Sequence, residues 1–245
     1  MTDVTPPRTD QMAQMFDAIA PRYDLLNRLL SAGIDQRWRS RVIEVLRPHA
    51  PARILDVATG TADIAIKAAA LQPEKIVGVD IAENMLEVGR EKIDRLGLSD
   101  LITLQKGDSA RLPFSDGQFD AVTVAFGVRN FENLDEGLAE MLRVLKPGGR
   151  VVILEFSQPT VPPVKQLYGL YSRYLLPLVG RLISGHRSAY RYLPASAAAF
   201  PSGEKFLDHL RQVGYADVRC EPKTFGIASI YVGRRKAGGT PGPGP

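Results

Sequence analysis

The chain has 245 residues, 44% hydrophobic and 24% charged, with a formal net charge of +4, which fits one large α/β domain with a full core. A single cysteine, Cys220, excludes an internal disulfide and a thiolate metal cluster, and no metal site is expected. No signal peptide is recognisable and no apolar run reaches the ~18 to 20 residues that span a bilayer, so the protein is read as soluble or peripheral; so small a net charge does not imply a nucleic-acid partner.

Residues 1–10, with Pro6-Pro7 among polar side chains, are expected to be disordered, and residues 11–236 to form one domain before a low-complexity tail, 237–245. Met12, Met15, Phe16 and Ile19 recur at helical spacing, Pro21 interrupts, and 23–31 resumes a helix that stops near Gly33. Asp35 is placed to cap a helix over 36–46, with Trp38, Val42, Val45 and Leu46 on one face and Arg37, Arg39 and Arg41 on the other. This block, 11–50, precedes the first strand. It can lie over the strand ends as a lid, or serve as plain core cover.

Residues 53–63, Arg-Ile-Leu-Asp-Val-Ala-Thr-Gly-Thr-Ala-Asp, read as strand, tight turn and helix start, and Ile76-Val77-Gly78-Val79-Asp80 as the next strand. That is a βαβ unit, whose ligand crevice lies beyond the carboxyl ends of its strands. Gly60 allows a sharp turn and close ligand approach, and Asp80 can accept hydrogen bonds from both hydroxyls of a ribose. A pyrophosphate would want further glycines at the helix start, whereas Thr61, Ala62 and Asp63 follow Gly60; an acid there better suits a cationic ligand such as S-adenosylmethionine. A plain strand–turn–helix with a solvated Asp63 would read the same way.

A helix over 82–96 and a strand over 102–106 lead to Gly107-Asp108-Ser109, where Asp108 can accept from an adenine amine and the Ser109 amide can reach a ring nitrogen. A buried strand over 121–125 exits through Phe126-Gly127-Val128-Arg129-Asn130, which is expected to project Arg129 and Asn130 toward the crevice. A helix over 134–145 ends at Lys146-Pro147-Gly148-Gly149, and a fifth strand covers 150–156. Near the end, a helix over 206–213 precedes strands over 218–221 and 227–232, joined too closely to be a parallel crossover. Cys220 sits in the first of these as a packing residue. Strands alternating with helices predict a doubly wound, Rossmann-like parallel sheet of the class I methyltransferase type, with a C-terminal antiparallel hairpin and a helical cap.

Residues 157–203 hold no Asp or Glu, yet contain Lys165, Arg173, Arg181, Arg187 and Arg191 among many leucines and tyrosines. Such a helical insertion suits an anionic membrane surface or a long apolar substrate, although an ordinary helical cover would look alike. His186, with Tyr190 and Tyr192, forms its polar part.

Three stretches resemble the ubiquinone/menaquinone biosynthesis C-methyltransferase family: residues 143–157 (Arg-Val-Leu-Lys-Pro-Gly-Gly-Arg-Val-Val-Ile-Leu-Glu-Phe-Ser), residues 126–130, and Tyr23-Asp24-Leu25-Leu26-Asn27 with Ser31 and Trp38. Leu26 and Asp35 stand where the family usually has Met and His. The resemblance implies S-adenosylmethionine as methyl donor, contacted by Asp56, Gly60, Thr61, Asp80, Asp108 and Ser109, and a reduced prenylated quinone as acceptor, demethylmenaquinol becoming menaquinol, with the ubiquinone precursor as a possible second substrate. Arg129 is expected to stabilise the ring oxyanion and Asn130 to orient the ring, with Tyr23 and His186 as further substrate contacts. A cytoplasmic enzyme, peripheral on the inner face of the membrane, follows. The alternatives are a methyltransferase for another small apolar molecule and a non-catalytic membrane-associated module; the missing G-x-G-x-x-G argues against a dehydrogenase and no nucleic-acid site is evident.

Overall fold

The computed structural model describes residues 8–172 and 187–238. Three helices come first, α1 (Thr9–Ile19), α2 (Tyr23–Leu30) and α3 (Ile34–Leu46). The alternating body follows as β1 (Arg53–Val57), α4 (Asp63–Ala68), β2 (Lys75–Asp80), α5 (Glu83–Arg95), β3 (Ile102–Lys106), β4 (Phe119–Ala125), α6 (Leu134–Val144) and β5 (Leu145–Phe156). Helices α7 (Val164–Leu170) and α8 (Arg187–Ala199) belong to the acid-free segment, and α9 (Glu204–Val213), β6 (Ala216–Lys223) and β7 (Ala228–Arg234) complete the chain.

The strands form one seven-stranded sheet in the order β3-β2-β1-β4-β5-β7-β6. β1 to β5 pair in parallel, and β7 inserts antiparallel between β5 and β6. Alternate residues of each central strand feed two separate cores. Leu55, Val57, Val122, Val124, Val151 and Ile153 pack toward α6 and α9, while Ile54, Ile76, Ala121, Val152 and Leu154 pack toward α3 and α4. Burial on both faces explains why these strands read as unbroken apolar runs.

Several local expectations shift. Helix α1 starts at Thr9, inside the stretch expected to be loose, because the Thr9 amide and hydroxyl both donate to Glu132 Oε2 at 3.2 and 2.9 Å. Gly33, with φ of 76°, starts α3, so Asp35 lies inside its first turn and does not cap it. Arg39 is not on a solvent face: its side chain is 7% exposed, held between Asp35 and Asp63. The fifth strand begins at Leu145, pairing with Phe119 before a bulge absorbs the Lys-Pro-Gly-Gly turn.

Candidate active site

The turn after β1 is built from unusual backbone. Ala58, Gly60 and Ala62 have φ of 50°, 55° and 65°, three left-handed residues within five. Beneath it Asp56, 1% exposed, accepts hydrogen bonds from the hydroxyls of Thr59 at 2.6 Å and Thr123 at 2.7 Å. Burial pushes its carboxyl up to about 6, against the pull of the two hydroxyls. Asp56 therefore shapes the turn from below and does not line the crevice, contrary to its expected cofactor contact.

Asp80 does reach the crevice. One carboxylate oxygen accepts the Gly60 amide at 2.8 Å and the other the Ala82 amide at 3.0 Å, which aims both toward the strand ends. Burial raises its pKa, and the amides partly offset that. Asp108 and Ser109 lie on the same wall, with the Asp108 side chain fixed by the Ala110 amide at 2.9 Å. Asn130 faces them with its Oδ1 buried and without a hydrogen-bond partner. Gly127 is required where β4 turns out, because a Cβ there would lie 2.5 Å from that of Ala58. The crevice has a volume of about 70 Å³, and Thr9, Met12, Phe16 and Tyr23 of the N-terminal helices cover it.

The side chains of Thr61, an expected cofactor contact, and of Asp63, the acid read as suiting a cationic ligand, point elsewhere. The Thr61 hydroxyl donates to Asp24 Oδ1 at 2.6 Å, and Asp63 pairs with Lys92 at 2.5 Å, so neither side chain lines the crevice. Asp24 also meets Lys92 at 2.8 Å, tying α2 to α4 and α5. The negative charge of the crevice wall comes from Asp80, Asp108 and Glu132, and no Lys or Arg stands among the described lining residues. That balance suits a cationic ligand.

A second cavity, of about 370 Å³, adjoins the crevice and shares Phe16, Tyr23 and Phe126 with it. Its wall is mostly apolar, from Met15, Ile19, Leu30, Trp38, Phe156, Val164 and Leu167 to Leu193. Arg129 opens here and Asn130 into the crevice, so the exit loop divides between the two cavities the pair of residues expected together. The Arg129 guanidinium is 5% exposed, donates to Glu155 Oε1 at 2.8 Å and to the Phe126 carbonyl at 2.5 Å, and lies 5.3 Å from the Phe156 ring centroid. Its Nε is buried without a partner. Tyr23 faces both cavities; burial raises its pKa, while Arg39 and Arg129 pull it back. His186 lies outside the described residues. Sequence reasoning missed Asp35, Arg39, Tyr168 and Tyr171 as chamber walls. An Asp–Arg pair four apart, on the helix face that also carries Trp38, Val42 and Leu46, was the available signal for the first two.

A parallel sheet with an antiparallel insertion, a carboxylate at the end of β2 and an acidic crevice beside an apolar chamber define a class I, S-adenosylmethionine-dependent methyltransferase. The model of the ubiE/COQ5 methyltransferase family matches residues 3–235, and the chain belongs to that family. It is 50% identical to the demethylmenaquinone methyltransferase of Bacteroides fragilis over 225 residues, 91% of this chain and 92% of that one. Identity is 48% to the demethylmenaquinone methyltransferase of Thermus thermophilus (90% and 100% covered) and 46% to the ubiquinone/menaquinone biosynthesis C-methyltransferase UbiE of Geobacter sulfurreducens (92% and 89%). Among solved structures, an S-adenosylmethionine-dependent methyltransferase of Thermotoga maritima superposes with a TM-score of 0.65 at 18% identity, covering 92% of this chain and 100% of that one, which shows the shared fold.

Proposed function

We propose that the protein methylates a ring carbon of a reduced prenylated quinone, converting demethylmenaquinol to menaquinol. The observation that carries this is the apolar chamber of about 370 Å³ meeting the cofactor crevice along Phe16, Tyr23 and Phe126, large enough for a fused ring and the start of its tail. The names of the relatives from Bacteroides fragilis and Thermus thermophilus support the same acceptor. When bound, S-adenosylmethionine supplies an electrophilic methyl group on a sulfonium. Asp80 would hold its ribose, and Asp108 with Ser109 its adenine, while Asn130 places its unpartnered oxygen against the bound cofactor or ring. Arg129 stabilises negative charge on the ring oxygen beside a mostly apolar wall, where such charge–charge contacts are strengthened. Tyr23 positions the ring at the boundary of the two cavities.

Exposed apolar side chains on and beside two of the helices that wall the chamber support contact with the membrane that stores such a substrate. Leu25 and Leu29 on α2, and Val161, Leu167 and Leu170 at and on α7, are each more than half exposed, beside a segment without acidic residues. Among the described residues no helix is long and apolar enough to cross a membrane. Peripheral docking on an anionic surface fits this pattern, with the chamber mouth facing the lipid. The test is incubation with labelled S-adenosylmethionine and either demethylmenaquinol or the corresponding benzoquinol. Label in the naphthoquinol product is expected; no transfer to either quinol, with cofactor bound, would overturn the assignment.

A further inference from the structure

Transfer to a phenolic ring carbon requires the ring hydroxyl to give up its proton, and few groups in the chamber can receive it. Glu155 does not line the chamber: it is fully buried behind Arg129, one oxygen accepting Arg129 Nη1 and the Phe156 amide, both at 2.8 Å, and the other the Arg129 amide at 3.3 Å. The tyrosines are poor bases near neutrality, since burial raises Tyr23 and pushes Tyr171 up to about 12. One carboxylate stands among the described residues of the chamber wall, that of Asp35.

Asp35 is 4% exposed and has no capping role, yet it is kept at the surface of an apolar cavity. Its Oδ1 accepts the Ser31 hydroxyl at 2.7 Å, and its Oδ2 accepts the side-chain Nε2 of Gln36 at 3.0 Å and Arg39 Nε at 3.4 Å. Ser31 and Arg39 line the same cavity. The Arg39 guanidinium lies 5.3 Å from the centroid of Phe126, the ring shared with the crevice. Asp35 and Arg39 thus border the chamber at that ring, while Arg129 and Glu155 sit against Phe156, whose ring centroid is 4.5 Å from that of Phe126. Charged groups facing Asp35 from neighbouring elements are Arg39 on its own helix, Asp63 behind Arg39 on α4, Lys92 of α5 beyond Asp63, and Arg129 with Glu155 after β4 and in β5; Tyr23 of α2 and Tyr168, Tyr171 and Tyr192 of α7 to α8 face the cavity.

The geometry points to Asp35 as a further catalytic residue: its carboxylate takes the proton of the substrate's ring hydroxyl, with Ser31 holding it in line. This rests on the quinol reading above. As the O–H bond breaks, its electron pair delocalises onto the ortho carbon, which forms the new bond to the methyl group; the pair of the broken C–S bond stays on sulfur, leaving a neutral thioether. The hydrogen on the methylated carbon then leaves through solvent as the ring regains aromaticity, and a proton returns to the oxygen. One proton in all is released, passed from Asp35 to water.

The experiment compares wild type with Asp35→Asn and Asp35→Glu, using a short-chain demethylmenaquinol. For Asp35→Asn a fall in kcat of about 100-fold or more is expected, the usual size of a general-base contribution, with unchanged calorimetric affinity for S-adenosylmethionine. Its residual rate should climb about tenfold per pH unit as hydroxide replaces the missing base, and a ring-fluorinated quinol with a more acidic hydroxyl should recover most of the loss. Asp35→Glu should restore part of kcat at neutral pH. A kcat for Asp35→Asn within about threefold of wild type, or a loss with the wild-type pH profile and no rescue by the acidic quinol, overturns the proposal. Should Asp35→Asn not fold, wild type alone decides: with Asp35 as base the fluorinated quinol gains little, whereas a large gain shows that no enzyme base is at work. A wild type that methylates no quinol would instead defeat the substrate assignment.

Discussion

The crevice and the chamber share three side chains and differ in almost everything else. Among the described residues three acids and no Lys or Arg line the crevice, whereas two arginines and one acid line the chamber. The first holds charge opposite to that of a sulfonium, the second charge opposite to that of a ring oxyanion. Their construction differs too: the crevice is made by strand ends and the amides of tight turns, and the chamber by helices that lie outside the alternating pattern. A methyl transferase of this type separates the two halves of its chemistry by charge, and brings them together at a wall of three aromatic rings.

Substitutions should therefore split into those that move kcat and those that move cofactor affinity. The largest effect is expected for Arg129→Ala, a fall in kcat of about 100- to 1000-fold with S-adenosylmethionine affinity retained. That variant also leaves Glu155 buried without its partner, at a cost of about 3 to 5 kcal/mol in stability. Arg129→Met combined with Glu155→Gln should regain much of the stability and none of the rate; recovery of rate would show that Arg129 acts only as a counter-charge. Next comes Asp80→Ala, for which calorimetry should show about 10- to 100-fold weaker cofactor binding, from lost hydrogen bonds to a charged acceptor. Unaltered affinity would erase the distinction between the cavities.

Gly127→Ala probes the seam. Its Cβ would press on Ala58 at 2.5 Å and Val124 at 3.0 Å, and overpacking of this kind costs about 1 to 3 kcal/mol, readable as a lowered Tm. The effect on function is smallest for Asp56, which acts on stability through pH. Its folded pKa, about 6, lies above the ordinary 3.8, so the folded state binds more protons between these values and stability falls as pH rises through that window. The loss is at most about 3 kcal/mol, and Asp80 adds to it in the same direction. Denaturation of Asp56→Asn across about pH 4 to 6 should show a flatter slope than wild type; an equal slope would place the titration elsewhere.

Legibility in the sequence followed the same division. Asp80 and Asp108 were readable because each ends a strand, and a parallel sheet delivers its strand ends to one edge. Thr61 and Asp63 follow closely on β1, yet their side chains do not line the crevice. Their side chains turn to Asp24 and Lys92, which are 37 and 29 residues distant, respectively, and no local pattern reports such pairings. Asp35 looked like a helix cap because the sequence around it is turn-like, but the left-handed Gly33 starts the helix earlier and swings the carboxylate into the chamber.

By itself the sequence determined the sheet, its terminal hairpin and the family, since apolar periodicity and turn residues act over a few positions and the motifs are contiguous. It also placed Asp80 and Asp108 at one crevice, because backbone geometry couples a strand end to the turn that follows it. Only the tertiary structure decided which face of the exit loop each of Arg129 and Asn130 serves, which acids remain unpaired at the ligand, and that α2, α3, α7 and α8 close around one apolar space. Those outcomes depend on side chains meeting across long stretches of chain, where burial and charge pairing select the partner and local sequence carries no record of it.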